Sequence, residues 1–67
     1  MTEEEIGKSV RLAMAHKGIS GKDLAKAMDV VPLTISKWRQ GRCKDIIILT
    51  QLAEACDMTF SEMMALA

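Results

Sequence analysis

The sequence predicts a small all-α domain of five short helices, and three observations carry that reading. Apolar residues recur at spacings of three and four along nearly the whole chain, and no segment alternates with period two for long enough to form a strand. Side chains suited to capping helices stand just before four of the periodic runs, at Thr2, Ser20, Asp45 and Thr59. The segment from Gly21 to Gly41, GKDLAKAMDVVPLTISKWRQG, sets small and apolar residues at the offsets needed to cross two short helices tightly.

Each element has a local reason. Thr2 with Glu5 offers a capping box, after which Ile6, Val10, Ala13 and Met14 repeat at helical spacing until Lys17-Gly18 stops the first helix. Ser20 with Asp23 makes a second box, opening a helix at about Gly21 that ends near Met28. Leu24, Ala25 and Met28 form its inner face, with Ala25 small where two axes approach, and Val30 plugs the gap under the following turn. Pro32 is favoured at a first helical position, so the third helix runs from about Pro32 to Gln40 and is closed by Gly41. Ile35 and Trp38, three residues apart, anchor it inward. Asp45 caps a fourth helix with an inward stripe of Ile46, Leu49, Leu52, Ala53 and Cys56. Thr59 with Glu62 caps the last, which carries Phe60, Met63 and Leu66. With no repeat, low-complexity tract or linker, residues 1–67 read as one domain.

Composition narrows the functional classes. Apolar residues make up 49% of the chain, but Phe60 and Trp38 are the only aromatics, so the core must be aliphatic and rich in Met. Met14, Met28, Met58 and Met63 all fall at core spacing. No apolar run approaches the roughly 20 residues of a membrane span. The N-terminus MTEEEIGKS is acidic rather than signal-like, so a cytoplasmic protein is expected. Cys43, Cys56 and His16 are three potential ligands at no zinc spacing, so neither a metal nor another cofactor is expected, and Cys56 is assigned to the core. His16 stands beside Lys17 with no nucleophile at a suggestive spacing, and no glycine loop could cradle a phosphate, which argues against an enzyme. Net charge is zero, yet Glu3, Glu4 and Glu5 hold three of the nine acids. From Ile6 onward nine bases face six acids, and Lys37, Arg39, Arg42 and Lys44 fall within eight residues with no acid between them.

The pieces ISGKDLAKAMDV, TISKW followed by Gly41, and LTQLAEACDM resemble the Cro and phage-repressor (XRE-type) helix-turn-helix family over roughly Ile6 to Leu66. The resemblance implies a compact, lambda-repressor-like five-helix domain with the helix-turn-helix at its second and third helices. It implies a transcriptional regulator that binds an operator as a homodimer, with the third helix in the major groove. Three positions depart from the pattern: Gly21 where the family has Gln, Asp29 where it prefers Gly, and Val31 where it has a polar cap. Asp tolerates a left-handed turn, so Asp29 is a mild change. The backbone contact made by the family's Gln cannot be carried over to Gly21, and Lys22 is the neighbouring substitute.

At about 100° per residue, with Ile35 and Trp38 inward, the outward positions of the third helix are Leu33, Ser36, Lys37 and Gln40, with Pro32 at the leading edge. Lys37 can donate to guanine O6 and N7, whereas Pro32 and Leu33 cannot hydrogen-bond and would select thymine through its 5-methyl group. Pro32, Leu33, Ser36 and Lys37 are therefore the expected base contacts, and Lys22, Thr34, Gln40, Arg42 and Lys44 the expected backbone contacts. Ile46, Ile47 and Ile48 cannot all be buried by one helix face, so Ile47 and Ile48, with Met64, are the candidate homodimer surface. The expected partners are double-stranded DNA and a second copy, with no small-molecule ligand. Zero net charge, Gly21 and the apolar Ile47 and Ile48 leave an alternative open: a protein-interaction module or antitoxin subunit on the same fold.

Overall fold

A run of N-terminal caps sets the architecture of the chain, which a computed structural model describes over all 67 residues. The helices are α1 (Glu3–Lys17), α2 (Gly21–Met28), α3 (Pro32–Arg39), α4 (Ile46–Ala55) and α5 (Phe60–Ala65), with no strand. Thr2 and Thr59 each head a full capping box, in which the Thr hydroxyl accepts from the Glu amide and the Glu carboxylate accepts from the Thr amide. Ser20 makes only half of one: its Oγ accepts from the Asp23 N–H at 3.1 Å, but the Asp side chain, a methylene shorter than Glu, returns no bond. Asp45 Oδ1 accepts from the amides of Ile47 and Ile48 at 2.9 and 3.4 Å. Val31 caps α3 with no side-chain bond, and Pro32 fills the first position, where a donor would be wasted. Gly18 and Asp29 close α1 and α2 in the left-handed conformation, so Asp29 takes the role expected of a Gly. Helix α3 ends at Arg39, one residue short of the expected Gln40.

Ile6, Val10, Ala13 and Met14 of α1 enter the core, as do Leu24 and Ala25 of α2, Ile35 and Trp38 of α3, and Leu49, Leu52 and Ala53 of α4. Met63 of α5 completes the helical contribution, and Cys56 fills core as expected. Each fully buried large aliphatic contributes about 1.5–3 kcal/mol by leaving water. No helix is long and apolar enough to cross a membrane.

Two residues depart from the expected stripes. Ile46 was expected inward but is 55% exposed. It is the first residue of α4, and helical side chains lean toward the N-terminus, so it projects past the end of the core that Leu49 and Leu52 fill. Leu66 was expected on the inner face of the last helix but is 38% exposed, because α5 stops at Ala65 and Leu66 only caps it. Ser9, fully buried, had no sequence signal; its hydroxyl is satisfied by donating to the Ile6 carbonyl at 2.8 Å.

Two glycines bring α1 directly against the end of α3. A Cβ at Gly7 would stand 2.8 Å from the carbonyl oxygen of Arg39 and 2.9 Å from the amide nitrogen of Gly41. Gly41, at φ +88°, would place a Cβ only 1.8 Å from the Glu3 carbonyl oxygen. The first turns of α1 thus form a floor under the last turn of α3 and the loop that follows it.

Candidate nucleic-acid interface

Helices α2 and α3 pack on each other, Leu24 and Ala25 of α2 are buried in the core, and Val30 is half-buried in the turn with its N–H bonded to the Ala25 carbonyl at 2.9 Å. Ile35 and Trp38 hold α3 to the core. Its opposite face is open: Pro32, Leu33, Ser36, Lys37 and Gln40 are all exposed, and Leu33 is 66% exposed rather than closing a small core. Thr34 is half-buried on the flank. Val31, 62% exposed, extends the apolar tip that Pro32 and Leu33 begin.

The loop after α3 alternates in burial, with Gly41 and Cys43 inside and Arg42 and Lys44 outside. Cys43, 5% exposed, pins the loop to the core and so throws both cations toward solvent on the same stretch. The sequence gives no periodic signal for that pin, because residues 40–45 lie outside any helix. Lys22 is exposed in the first turn of α2. Over the neighbouring Gly21 lies the side chain of Arg39, whose Nη1 would be 4.0 Å from a Cβ at that position.

Sequence reasoning missed Arg11. Its guanidinium, from α1, donates to the carbonyl oxygen of Arg39 at the end of α3. Arg11, Ser36, Arg39 and Gln40, all polar or charged residues, line a shallow cleft of about 270 Å³. The molecule's one ion pair, Lys17 with Asp57, joins α1 to the α4–α5 turn and holds the Lys17 pKa above its ordinary value. Arg11, Lys37, Arg39, Arg42 and Lys44 therefore have no carboxylate within 4.0 Å. Burial pushes the Cys56 thiol up, the opposite of what a nucleophile needs. Cys43, Cys56 and His16 form no cluster that could hold a metal ion.

A family model described as helix-turn-helix matches residues 4–63, from the first turn of α1 into α5. The chain belongs to this helix-turn-helix family. No curated protein and no solved structure is significantly similar to it. The family, of Cro and XRE type, is one of DNA-binding regulators, and the match contains every element that positions the α3 face and the Arg42–Lys44 loop. In this helix-turn-helix protein the candidate dimer residues are unequally placed. Ile47 is 70% exposed, whereas Ile48 packs partly on the core and Met64 is half-buried, its sulfur 3.4 Å from Ser9 Oγ. Ile46, not Ile48, is the second open apolar side chain at this end of α4.

Proposed function

We propose that this helix-turn-helix protein is a Cro/repressor-like transcriptional regulator of the cytoplasm, binding a palindromic operator as a homodimer with α3 in the major groove. The observation that carries the reading is the open face of α3, where an apolar tip and a lysine one turn later stand opposite the buried Ile35 and Trp38. Such a face suits direct readout: Lys37 donates to guanine, Leu33 and Pro32 contact a thymine methyl, and Ser36 reaches either kind of base edge. Lys22, Thr34, Gln40, Arg42 and Lys44 surround that face and fix the register by contacting phosphates, which position the protein without carrying sequence information.

One recognition helix reads only a few base pairs, so useful specificity calls for two, about 34 Å apart on one side of the duplex. Ile47, with the partly buried Ile48 and Met64, supplies the dimer surface. The whole chain acts as one domain, with a regulatory rather than catalytic role and without a cofactor or small-molecule ligand. Selection of bound sequences from a random duplex pool tests the proposal: a palindrome should be enriched, and sedimentation should find two chains per duplex. One chain per site at saturation would remove the dimer. The exposed Val31, Leu33, Ile46 and Ile47 support a second reading, a protein-interaction module or antitoxin subunit, and a pool that yields no enriched sequence would favour it.

A further inference from the structure

We propose that Arg11 of α1 and Arg39 at the end of α3 together clamp one DNA backbone phosphate at the α1 edge of the recognition surface, a contact additional to the base contacts of α3 and the phosphate contacts of the Arg42–Lys44 loop. The clamp rests on the DNA-binding reading above. It begins with the close approach at Gly7, which brings α1 within backbone contact of the end of α3. Arg11 lies one turn further along the same face of α1, and its Nη1 donates to the Arg39 carbonyl. That carbonyl is among the last four of α3, which have no partner within the helix, so the bond both satisfies it and sets a cation at the negative end of the helix. Arg11 is thereby held in place with most of its donors still free, since a guanidinium has five N–H groups and this bond uses one.

Arg39 approaches the cleft from the other side. Gly21 has no side chain, and the guanidinium of Arg39 occupies the adjacent space. An arginine from the neighbouring helix thus presents donors beside the start of α2. Ser36 and Gln40 complete the cleft. Two cations with no carboxylate within 4.0 Å, a hydroxyl and an amide leave the cleft suited to an anion with several oxygens. Two planar forks match a phosphodiester, whose non-bridging oxygens accept bidentate bonds. Ser36 and Gln40 also belong to the exposed face of α3, so a phosphate in the cleft is continuous with a duplex seated on that face. This commits the occupant to the DNA backbone.

The test uses the full chain and its selected operator, with a neutral methylphosphonate placed at each position of both strands in turn. In each half-site one substitution should weaken wild-type binding about tenfold, the effect of about 1.4 kcal/mol. The same substitution should weaken Arg11→Ala and Arg39→Ala less than about twofold, because the contact is already gone. Arg11→Lys, which keeps the charge but not the fork, should fall between them. Unchanged Trp38 emission and thermal midpoint report that each variant is folded, and Arg39→Ala with Arg11→Lys carry the test should Arg11→Ala fail to fold. Equal losses in wild type and variants at every position overturn the clamp while leaving DNA binding intact. Inorganic phosphate that raises the wild-type midpoint but not that of Arg39→Ala, alongside equal losses in the scan, assigns the cleft to a free anion and overturns it too. A wild-type chain that binds no duplex overturns the clamp and the DNA-binding reading together.

Discussion

Gly7→Ala is the substitution at which helix propensity and packing predict opposite signs. On an exposed helix the change stabilises by about 1 kcal/mol, because Ala loses less backbone freedom on folding. Here the new Cβ would lie 2.8 Å from the Arg39 carbonyl oxygen, 2.9 Å from the Gly41 nitrogen and 3.0 Å from the Gln40 carbonyl carbon. All three atoms are main chain, so none can swing aside as the end of a side chain would. Helix α1 must instead lift from the end of α3, and overpacking of this kind costs about 1–3 kcal/mol. Three main-chain clashes put this site in the upper half of that range, about 2–3 kcal/mol, so subtracting the propensity gain of about 1 kcal/mol leaves a net loss of about 1–2 kcal/mol, or roughly 4–16 °C in thermal midpoint for a domain of this size. Thermal and urea unfolding followed by the single tryptophan, Trp38, measure it directly. The same displacement moves the loop that carries Arg42 and Lys44, so operator affinity should fall even well below the midpoint. Gly18→Ala is the control: its φ of +73° carries a left-handed penalty, but nothing lies within 4 Å of the added Cβ. It should lower stability by about 1–2 kcal/mol without touching DNA binding. A Gly7→Ala protein as stable as wild type, or more so, would refute the backbone approach on which the site's geometry depends.

Three further outcomes are expected. Thr2 holds the Glu5 carboxyl below its ordinary value, first through its main-chain N–H and then through its hydroxyl, and Thr59 does the same for Glu62. Because both pKa values are lowered on folding, their contribution is complete above the ordinary value of 4.5 and is lost as pH falls through the folded values. The midpoint should therefore drop in acid, and Glu5→Gln with Glu62→Gln should flatten that dependence; an unaltered pH profile would exclude the two boxes as its source. Arg42→Ala or Lys44→Ala should weaken specific and nonspecific DNA binding alike, lowering the salt slope by about one per lost contact per subunit, about two for a dimer. A slope equal to wild type would take the residue out of the interface. Ile47→Lys, at a 70% exposed position, should leave unfolding unchanged yet reduce the number of chains per operator at a given concentration. Wild-type stoichiometry in that variant would place the dimer surface elsewhere.

The helices were legible because their causes are local. Thr2 with Glu5, Pro32, and Thr59 with Glu62 fix starts within four residues of themselves, and Gly18 or Gly41 marks a stop. The phase of α3 was equally plain, since Ile35 and Trp38 leave only one side on which Leu33 and Lys37 can lie. Contacts between distant segments were not legible. Arg11 meets Arg39 across 28 positions, and Gly7, with no side chain, carries no periodic signal that could mark it as a point of close approach to the end of α3. Cys43 is buried by the way its loop folds back, and no helical or strand period announces that. Ile46 shows the limit of periodicity itself, because its phase is nearly right for the core but its place at the first position of α4 carries the side chain beyond it.

The most direct measurement of base readout by α3 compares wild type and Leu33→Ala on the selected operator with each thymine replaced in turn by uracil, which removes only the 5-methyl group. Wild type should lose about 1–3 kcal/mol at one position per half-site, the scale of a single mismatched base pair. Leu33→Ala, with unchanged Trp38 emission, should bind thymine and uracil equally there, and Lys37→Ala should relax a neighbouring guanine preference by a similar amount. If both variants fold and discriminate among sequences as wild type does, the exposed face of α3 does not read this DNA.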